Sequence, residues 1–211
     1  MTISGVKPDS AETLRLLERA EQGDAGAVES LLKRHRPDVL NFVGLHLDPR
    51  LRPRVDPSDV VQEAQLEMAR RMNDFLRRRP MPFRLWARKT AYERMLNLRR
   101  DHLRARRSVN REDDLPDRSS MLLAAPFIAA SPSPSQEAAA RETAERVRTA
   151  VAGLAEADRE ILLMRHAEDL PYEEIACLLG VEPAAARKRY GRALIRLQKV
   201  LTDHGLLEKR P

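Results

Sequence analysis

Residues 170–201, LPYEEIACLLGVEPAAARKRYGRALIRLQKVL, hold two amphipathic helical patterns joined at the turn residues Gly180-Val181-Glu182-Pro183. The second pattern carries Arg187, Lys188, Arg189, Arg192, Arg196 and Lys199 and no acid. A short helix, a tight turn and a basic second helix form the pattern of a helix-turn-helix, whose second helix enters the DNA major groove. The spacing predicts that Ile175, Leu179, Tyr190, Ala193, Leu194 and Leu197 are buried. Arg187, Lys188 and Gly191 then face the groove, where cations meet guanine edges or phosphates. Gly191 inside a helix costs about 1 kcal/mol relative to alanine, and its missing side chain would let the backbone come close to DNA.

The rest of the chain is compatible with helices and little else. Aromatic residues make up 4% of the 211 residues, glycines number 8, and no sustained apolar–polar alternation signals strands. The expectation is an all-α fold of two small helical domains. The lone Cys177 excludes an internal disulfide framework and reads as a small core residue within its apolar run. No signal-like segment or long apolar span is present, so a soluble, cytoplasmic protein without membrane insertion is expected. His35, His46, His102, His166 and His204 lie far apart in sequence and no Gly-rich phosphate loop occurs. No metal site, cofactor or catalytic residue is therefore expected.

Charge is concentrated rather than spread. Residues 84–111 hold 10 basic and 2 acidic side chains, a local excess above the +6 of the whole chain. Such a block either tracks a phosphate backbone or is a solvated run. Leu85, Tyr92, Leu96 and Leu103 form a narrow helical stripe in it. Lys89 and Arg99 fall near that stripe, so either their stems run along the core edge or the helix breaks near residues 99–102. Residues 112–140, rich in proline, serine and acid, form the linker, which divides the chain into domains 1–108 and 141–211 joined by 109–140. The apolar run 121–128 within the linker would dock on a domain or a partner.

Upstream, residues 24–35 predict a short helix and Pro37 marks a restart before Val39, Phe42 and Val43. Asp56 is a good N-cap with Pro57 at the first helical position, opening a helix to about Leu76. Val61, Met68, Met72 and Phe75 form its buried stripe. Asp59, Gln62, Glu63 and Leu66 share the other side, an acidic and amide-rich face beside an exposed leucine. From periodicity alone the plainer reading, a solvated helix face, is preferred.

Several segments resemble the bacterial sigma factors. The run Asp56-Pro-Ser-Asp59-Val-Val-Gln62-Glu63 is similar to their "D-x-x-D-[LV]-[VL]-Q-E" segment, and Phe83-Arg-Leu-Trp86-Ala-Arg-Lys-Thr-Ala91 to the following "F-x-x-W-L-x-x-I-A" helix. Leu154 to Arg165, Pro171 to Ala176 and Arg192-Ala193-Leu194 resemble the family's other domain. Order and separation match the two-domain extracytoplasmic-function subgroup over about residues 11–107 and 141–203.

That resemblance implies a dissociable initiation subunit of RNA polymerase. Its first domain binds the polymerase clamp and opens the downstream promoter element; its second reads the upstream element and touches the flap. Asp59, Gln62, Glu63 and Leu66 then fall on the clamp-binding face. The loop from Asn73 to Phe83, with Arg77, Arg78 and Arg79, falls where the subgroup holds a base flipped from the melting duplex, which requires a pocket and cations for flanking phosphates. Arg84, Arg88, Lys89, Arg94, Arg99 and Arg100 are assigned to strand phosphates, and Trp86 either to base stacking or, as is commoner for such a residue, to the core. In the second domain Ala184, Ala185, Arg187, Lys188, Gly191 and Arg192 are assigned to the upstream element. An anti-sigma factor is a further implied partner. The chain departs from the family at Ala184-Ala185-Ala186, where relatives usually carry Gly-Thr-Val, and at Glu93 and Asn97. Two other readings stand beside this one: a dimeric helix-turn-helix regulator acting without polymerase, and a nucleic-acid module without sequence preference.

Overall fold

The computed structural model describes residues 5–48, 51–106, 146–147, 149–151 and 153–207. All regular structure among them is α-helical, and the helices fall into two compact units. The apolar run 121–128 and the linker lie outside the described residues.

The first unit is built from α1 (Ala11–Glu21), α2 (Ala25–His46), α3 (Pro57–Arg78) and α4 (Phe83–Arg106). Local capping chemistry sets its starts. Ser10 accepts from the Thr13 N–H at α1, and Asp24 accepts from the Ala27 N–H at α2. The Arg19 guanidinium, 2.6 Å from Asp24, and that cap hydrogen bond together hold the Asp24 carboxyl below the usual carboxylate range. Asp56 accepts from the Ser58 N–H at 2.6 Å, with Pro57 in the first turn of α3 as expected.

Pro37 does not restart a helix: α2 runs unbroken through it from Ala25 to His46. Proline removes one backbone donor and crowds the preceding turn. Burial outweighs that local cost here, because Leu31, Val39, Phe42 and Val43, on both sides of Pro37, are all at most 2% exposed. A break at Pro37 would take the residues on one side of it out of the core, at roughly 1.5–3 kcal/mol per large side chain.

Helix α4 is likewise continuous past residues 99–102, and Lys89 and Arg99 are half-buried, as stems lying along the core edge require. Its buried face is wider than the expected stripe. Leu85, Ala87 and Ala91 are fully buried, and Trp86, Thr90, Tyr92 and Met95 nearly so. The reason is its position: α4 packs against both α2 and α3, so two neighbours cover it.

The second unit contains α5 (Glu156–His166), α6 (Tyr172–Leu179) as far as Ala176, and α7 (Pro183–Asp203), with helical residues at 146, 147 and 149–151 before them. Ile161, Leu162, Leu163 and Met164 of α5 are buried, and α5 packs against α7, on which Ala186, Ala193, Leu197 and Leu201 are buried. Gly180, with φ 65°, ends α6, and the Val181 N–H closes the turn on the Ala176 carbonyl at 3.0 Å. Pro183 opens α7. The buried face of α6 includes Leu178, while the expected Leu179 is only half-buried, as are Tyr190 and Leu194 on α7. Tyr190 keeps a polar end for His166, 2.9 Å away, which stops its ring from sinking further.

Candidate polymerase and nucleic-acid interfaces

Helix α3 has two chemically distinct sides. Val60, Val61, Ala64, Met68, Met72 and Phe75 are at most 3% exposed. Opposite them Asp59, Gln62, Glu63 and Leu66 are exposed, Leu66 at 55%. Leu66 has no apolar packing requirement of the fold behind its position, since the helix already buries a full face without it. Glu63 accepts a hydrogen bond from Arg94 on α4, and Arg71 lies 3.4 Å from Glu93, so two ion pairs of opposite direction cross between α3 and α4. Both pairs are largely solvated, and such pairs contribute roughly 0–1 kcal/mol. Glu63 can therefore exchange partners at small cost. Beside it Glu63, Leu66, Arg70, Arg94 and Asn97 border a cleft of about 550 Å³.

The loop between α3 and α4 gathers the three successive arginines. Arg77 and Arg78 each lie 3.1 Å from Asp74, one turn back, and both are about three-quarters exposed. Arg79 has φ 35°, the left-handed region, with its N–H on the Phe75 carbonyl at 2.7 Å and its guanidinium 2.7 Å from Glu21 of α1. Asn73 is exposed just upstream. Arg78, Met81, Trp86 and Lys89 border a second cleft of about 260 Å³ next to this loop.

Trp86 belongs to the core. It is 6% exposed, stacked on Phe75 at 4.4 Å between centroids and tilted against Phe83 at 5.6 Å. A face already covered by Phe75 is not available to a base, so the stacking assignment for Trp86 is corrected to a wall of the cleft. Arg88 is half-buried with its guanidinium 5.7 Å from the Phe42 ring, Arg84 is half-buried, and Arg100 is exposed and donates to Asn97.

One feature of this region escaped the sequence reading. The residue before α4 is Pro82, which has no side-chain acceptor for the free N–H groups of a helix start. Asp9 supplies it instead, its two oxygens accepting from the Phe83 N–H at 2.6 Å and the Arg84 N–H at 3.1 Å. The Arg84 side chain in turn donates to the Lys7 carbonyl at 2.7 Å. The missing cap at Pro82 was the available signal, although nothing in the sequence pointed to Asp9 as its source.

On α7, Ala184, Arg187, Lys188 and Arg192 are exposed, whereas Ala185 and Gly191 are half-exposed. No side-chain cap bond forms at Glu182. The Arg187 guanidinium lies 5.1 Å from the centre of the Tyr172 ring of α6, and that of Arg165 lies 5.5 Å from it. Tyr172 thus orients Arg187 while leaving it open to solvent. A Cβ placed on Gly191 would meet nothing within 4 Å, so the fold does not need glycine there. Arg196 departs from the basic face: it turns back to Asp158 on α5, at 2.7 and 2.8 Å to the two oxygens. Burial, followed by the neighbouring Tyr172, pushes the Tyr190 hydroxyl above its usual range.

Among the described residues no group of acids, histidines and cysteines is placed to hold a metal ion, and no helix is long and apolar enough to cross a membrane.

Comparison with known proteins points to the sigma factors. Residues 144–197, which contain α5, α6 and most of α7, match the family model for sigma-70, region 4. The RNA polymerase sigma factor CnrH of Cupriavidus metallidurans is 28% identical over 200 residues, covering 93% of this chain and 97% of CnrH. The chain carries a sigma-70 region 4 domain and is similar over nearly its whole length to a sigma factor of the extracytoplasmic-function type. The probable RNA polymerase sigma factor RfaY of Xanthomonas campestris pv. campestris is 33% identical over 135 residues, which are 64% of this chain and 31% of RfaY. The chain thus spans nearly all of one of these relatives and about a third of the other. The fold of this sigma-factor relative is shared with CnrH solved in complex with the cytosolic domain of CnrY, with a TM-score of 0.56 at 22% identity over 92% of this chain and 99% of that one. It is also shared with the sigma factor RpoE of Bartonella quintana solved with the anti-sigma factor NepR, with a TM-score of 0.52 at 17% identity over 82% and 96%.

Proposed function

We propose that this sigma-family chain is a dissociable specificity subunit of RNA polymerase, acting in the cytoplasm, that docks on the core enzyme through α3, opens promoter DNA with the loop 73–83 and α4, and reads an upstream element with α7. The observation that carries the reading is the outer face of α3, where Leu66 stands exposed among Asp59, Gln62 and Glu63 while the opposite side is fully buried. Like charges one turn apart, such as Asp59 and Glu63, cost a helix a few tenths of a kcal/mol, and a basic partner offsets that while steering the encounter. The clamp of the core enzyme is that partner, with Leu66 supplying the apolar centre of the contact.

On DNA, Arg77, Arg78 and Arg79 carry charge for the strand near the cleft beside Met81, with Lys89, Arg84, Arg88, Arg94, Arg99 and Arg100 continuing along α4 to phosphates. The cleft of about 260 Å³ is the place for an unstacked base. On α7, Arg187, Lys188 and Arg192 meet the major groove, with Ala184, Ala185 and Gly191 allowing the helix to approach closely. The second unit also touches the polymerase flap. An anti-sigma protein is a fitting second partner, since CnrH and RpoE were solved with CnrY and with NepR.

The test is co-elution of the purified chain with core RNA polymerase. The wild-type chain is expected to co-elute, and a double variant Asp59→Lys with Glu63→Lys to lose co-elution with unchanged helical content by circular dichroism. A folded wild-type chain that stays apart from the core enzyme overturns the reading.

A further inference from the structure

Asp9 sits 74 residues from Phe83 in sequence, yet it completes the start of α4. A helix leaves its first N–H groups without internal partners, and a carboxylate there is also favoured by the helix dipole. The Pro82 carbonyl already receives the Leu85 and Trp86 N–H groups at 3.0 Å each. The Phe83 and Arg84 N–H groups remain, and these are the two that Asp9 takes. The other end of the same loop is tied to the far end of the helix that follows Asp9: Arg79, strained at φ 35°, reaches Glu21 at the last residue of α1. Between these anchors Leu16, Leu17 and Ala20 seat α1 in the core. The segment 9–21, seated by α1, therefore grips both ends of the short loop that walls the smaller cleft. The Glu21 anchor is solvated on both partners and weak; the Asp9 anchor is part-buried and is made to two backbone N–H groups, which suits a charged acceptor.

We propose that Asp9 is a positioning residue for promoter opening: by capping α4 from outside, it holds the loop 79–82 and its cleft in the geometry that receives DNA. This rests on the sigma-factor reading of that loop. Polymerase docking is assigned to other residues, Asp59, Gln62, Glu63 and Leu66 of α3, whereas Asp9 bonds to Phe83 and Arg84 of α4.

Two measurements on the full chain test this. Amide hydrogen exchange of the free protein is compared for wild type, Asp9→Ala and Asp9→Asn, and promoter opening by the reconstituted holoenzyme is followed by fluorescence of a base analogue in the downstream element. Asp9→Ala is expected to speed exchange at Phe83 and Arg84 and to slow opening, each by roughly five- to tenfold, the usual consequence of losing a cap. Exchange across α2 and α3 and co-elution with core polymerase should stay as in wild type. Asp9→Asn, which keeps one acceptor oxygen for one of the two N–H groups, should show effects intermediate between wild type and Asp9→Ala. Unchanged exchange at Phe83 and Arg84 in Asp9→Ala overturns the proposal, as does faster exchange with unchanged opening. Faster exchange throughout α2 and α3 with lost co-elution also overturns it, by reducing Asp9 to a residue of general stability. A wild-type chain that joins polymerase but opens no DNA defeats the functional reading of the loop instead, while exchange still decides the cap.

Discussion

One nitrogen of the Arg196 guanidinium donates to both oxygens of the Asp158 carboxylate, at 2.7 and 2.8 Å, and so ties the first turn of α5 to the middle of α7. Asp158 is 6% exposed, whereas the Arg196 side chain is 58% exposed. The two ends of this bond are therefore unequal. Removing Arg196 leaves a nearly buried carboxylate with its guanidinium gone, while removing Asp158 only returns an arginine to water.

Arg196→Met is thus expected to destabilise the second unit more than Asp158→Asn, by roughly 1–2 kcal/mol against at most about 1 kcal/mol, after allowance for solvent around the arginine. Urea unfolding followed by circular dichroism measures both. Equal losses would mean that the buried carboxylate finds another donor.

His35 carries a pH dependence. Its Nε2 lies 3.1 Å from the Thr13 hydroxyl and its ring meets Phe83 edge-on at 5.0 Å. Burial lowers its pKa from 6.5, against opposing pulls from Asp9 and Asp38, while Arg34 and Arg84 act in the same direction as burial. The folded state therefore binds a proton less readily than the unfolded state. Stability is full above about pH 6.5, is lost as pH falls from there toward the folded value, and levels off below it. Thermal melts between pH 7.5 and pH 5 should show this decline, and His35→Gln should flatten it. A decline of the same slope in the variant would assign the effect to other groups.

Gly191 separates folding from DNA approach. A side chain there meets open space, so Gly191→Ala should stabilise α7 by about 1 kcal/mol through helix propensity alone. If the backbone at this position lies against DNA, the same variant should use promoters that depend on the upstream element less well, although it is more stable. A variant both more stable and fully active would place Gly191 away from the duplex.

What was legible in the sequence was what is decided locally. Asp56 and Pro57 start α3 because a cap and a fixed φ act within one turn, and Val61, Met68, Met72 and Phe75 are buried as their spacing requires. The continuity of α2 through Pro37 was not legible, because the penalty is local while the burial that overrides it comes from α1, α3 and α4. The burial of Leu178 in place of Leu179 reflects a helix of only eight residues, Tyr172–Leu179, too short for periodicity to fix its facing. Trp86 was open to two roles and its neighbour Phe75 decided for the core, while Arg196, read only as part of the basic second helix, is drawn off that face by Asp158. Asp9 escaped because its partners lie 74 and 75 residues away.

The most direct measurement is run-off transcription by core RNA polymerase on duplex DNA carrying candidate promoters, with and without this chain. Addition of the chain is expected to produce discrete transcripts that neither component makes alone, and the Asp59→Lys with Glu63→Lys variant should abolish them. A folded chain that binds DNA as a dimer by itself and adds no transcript to the core enzyme would contradict the account.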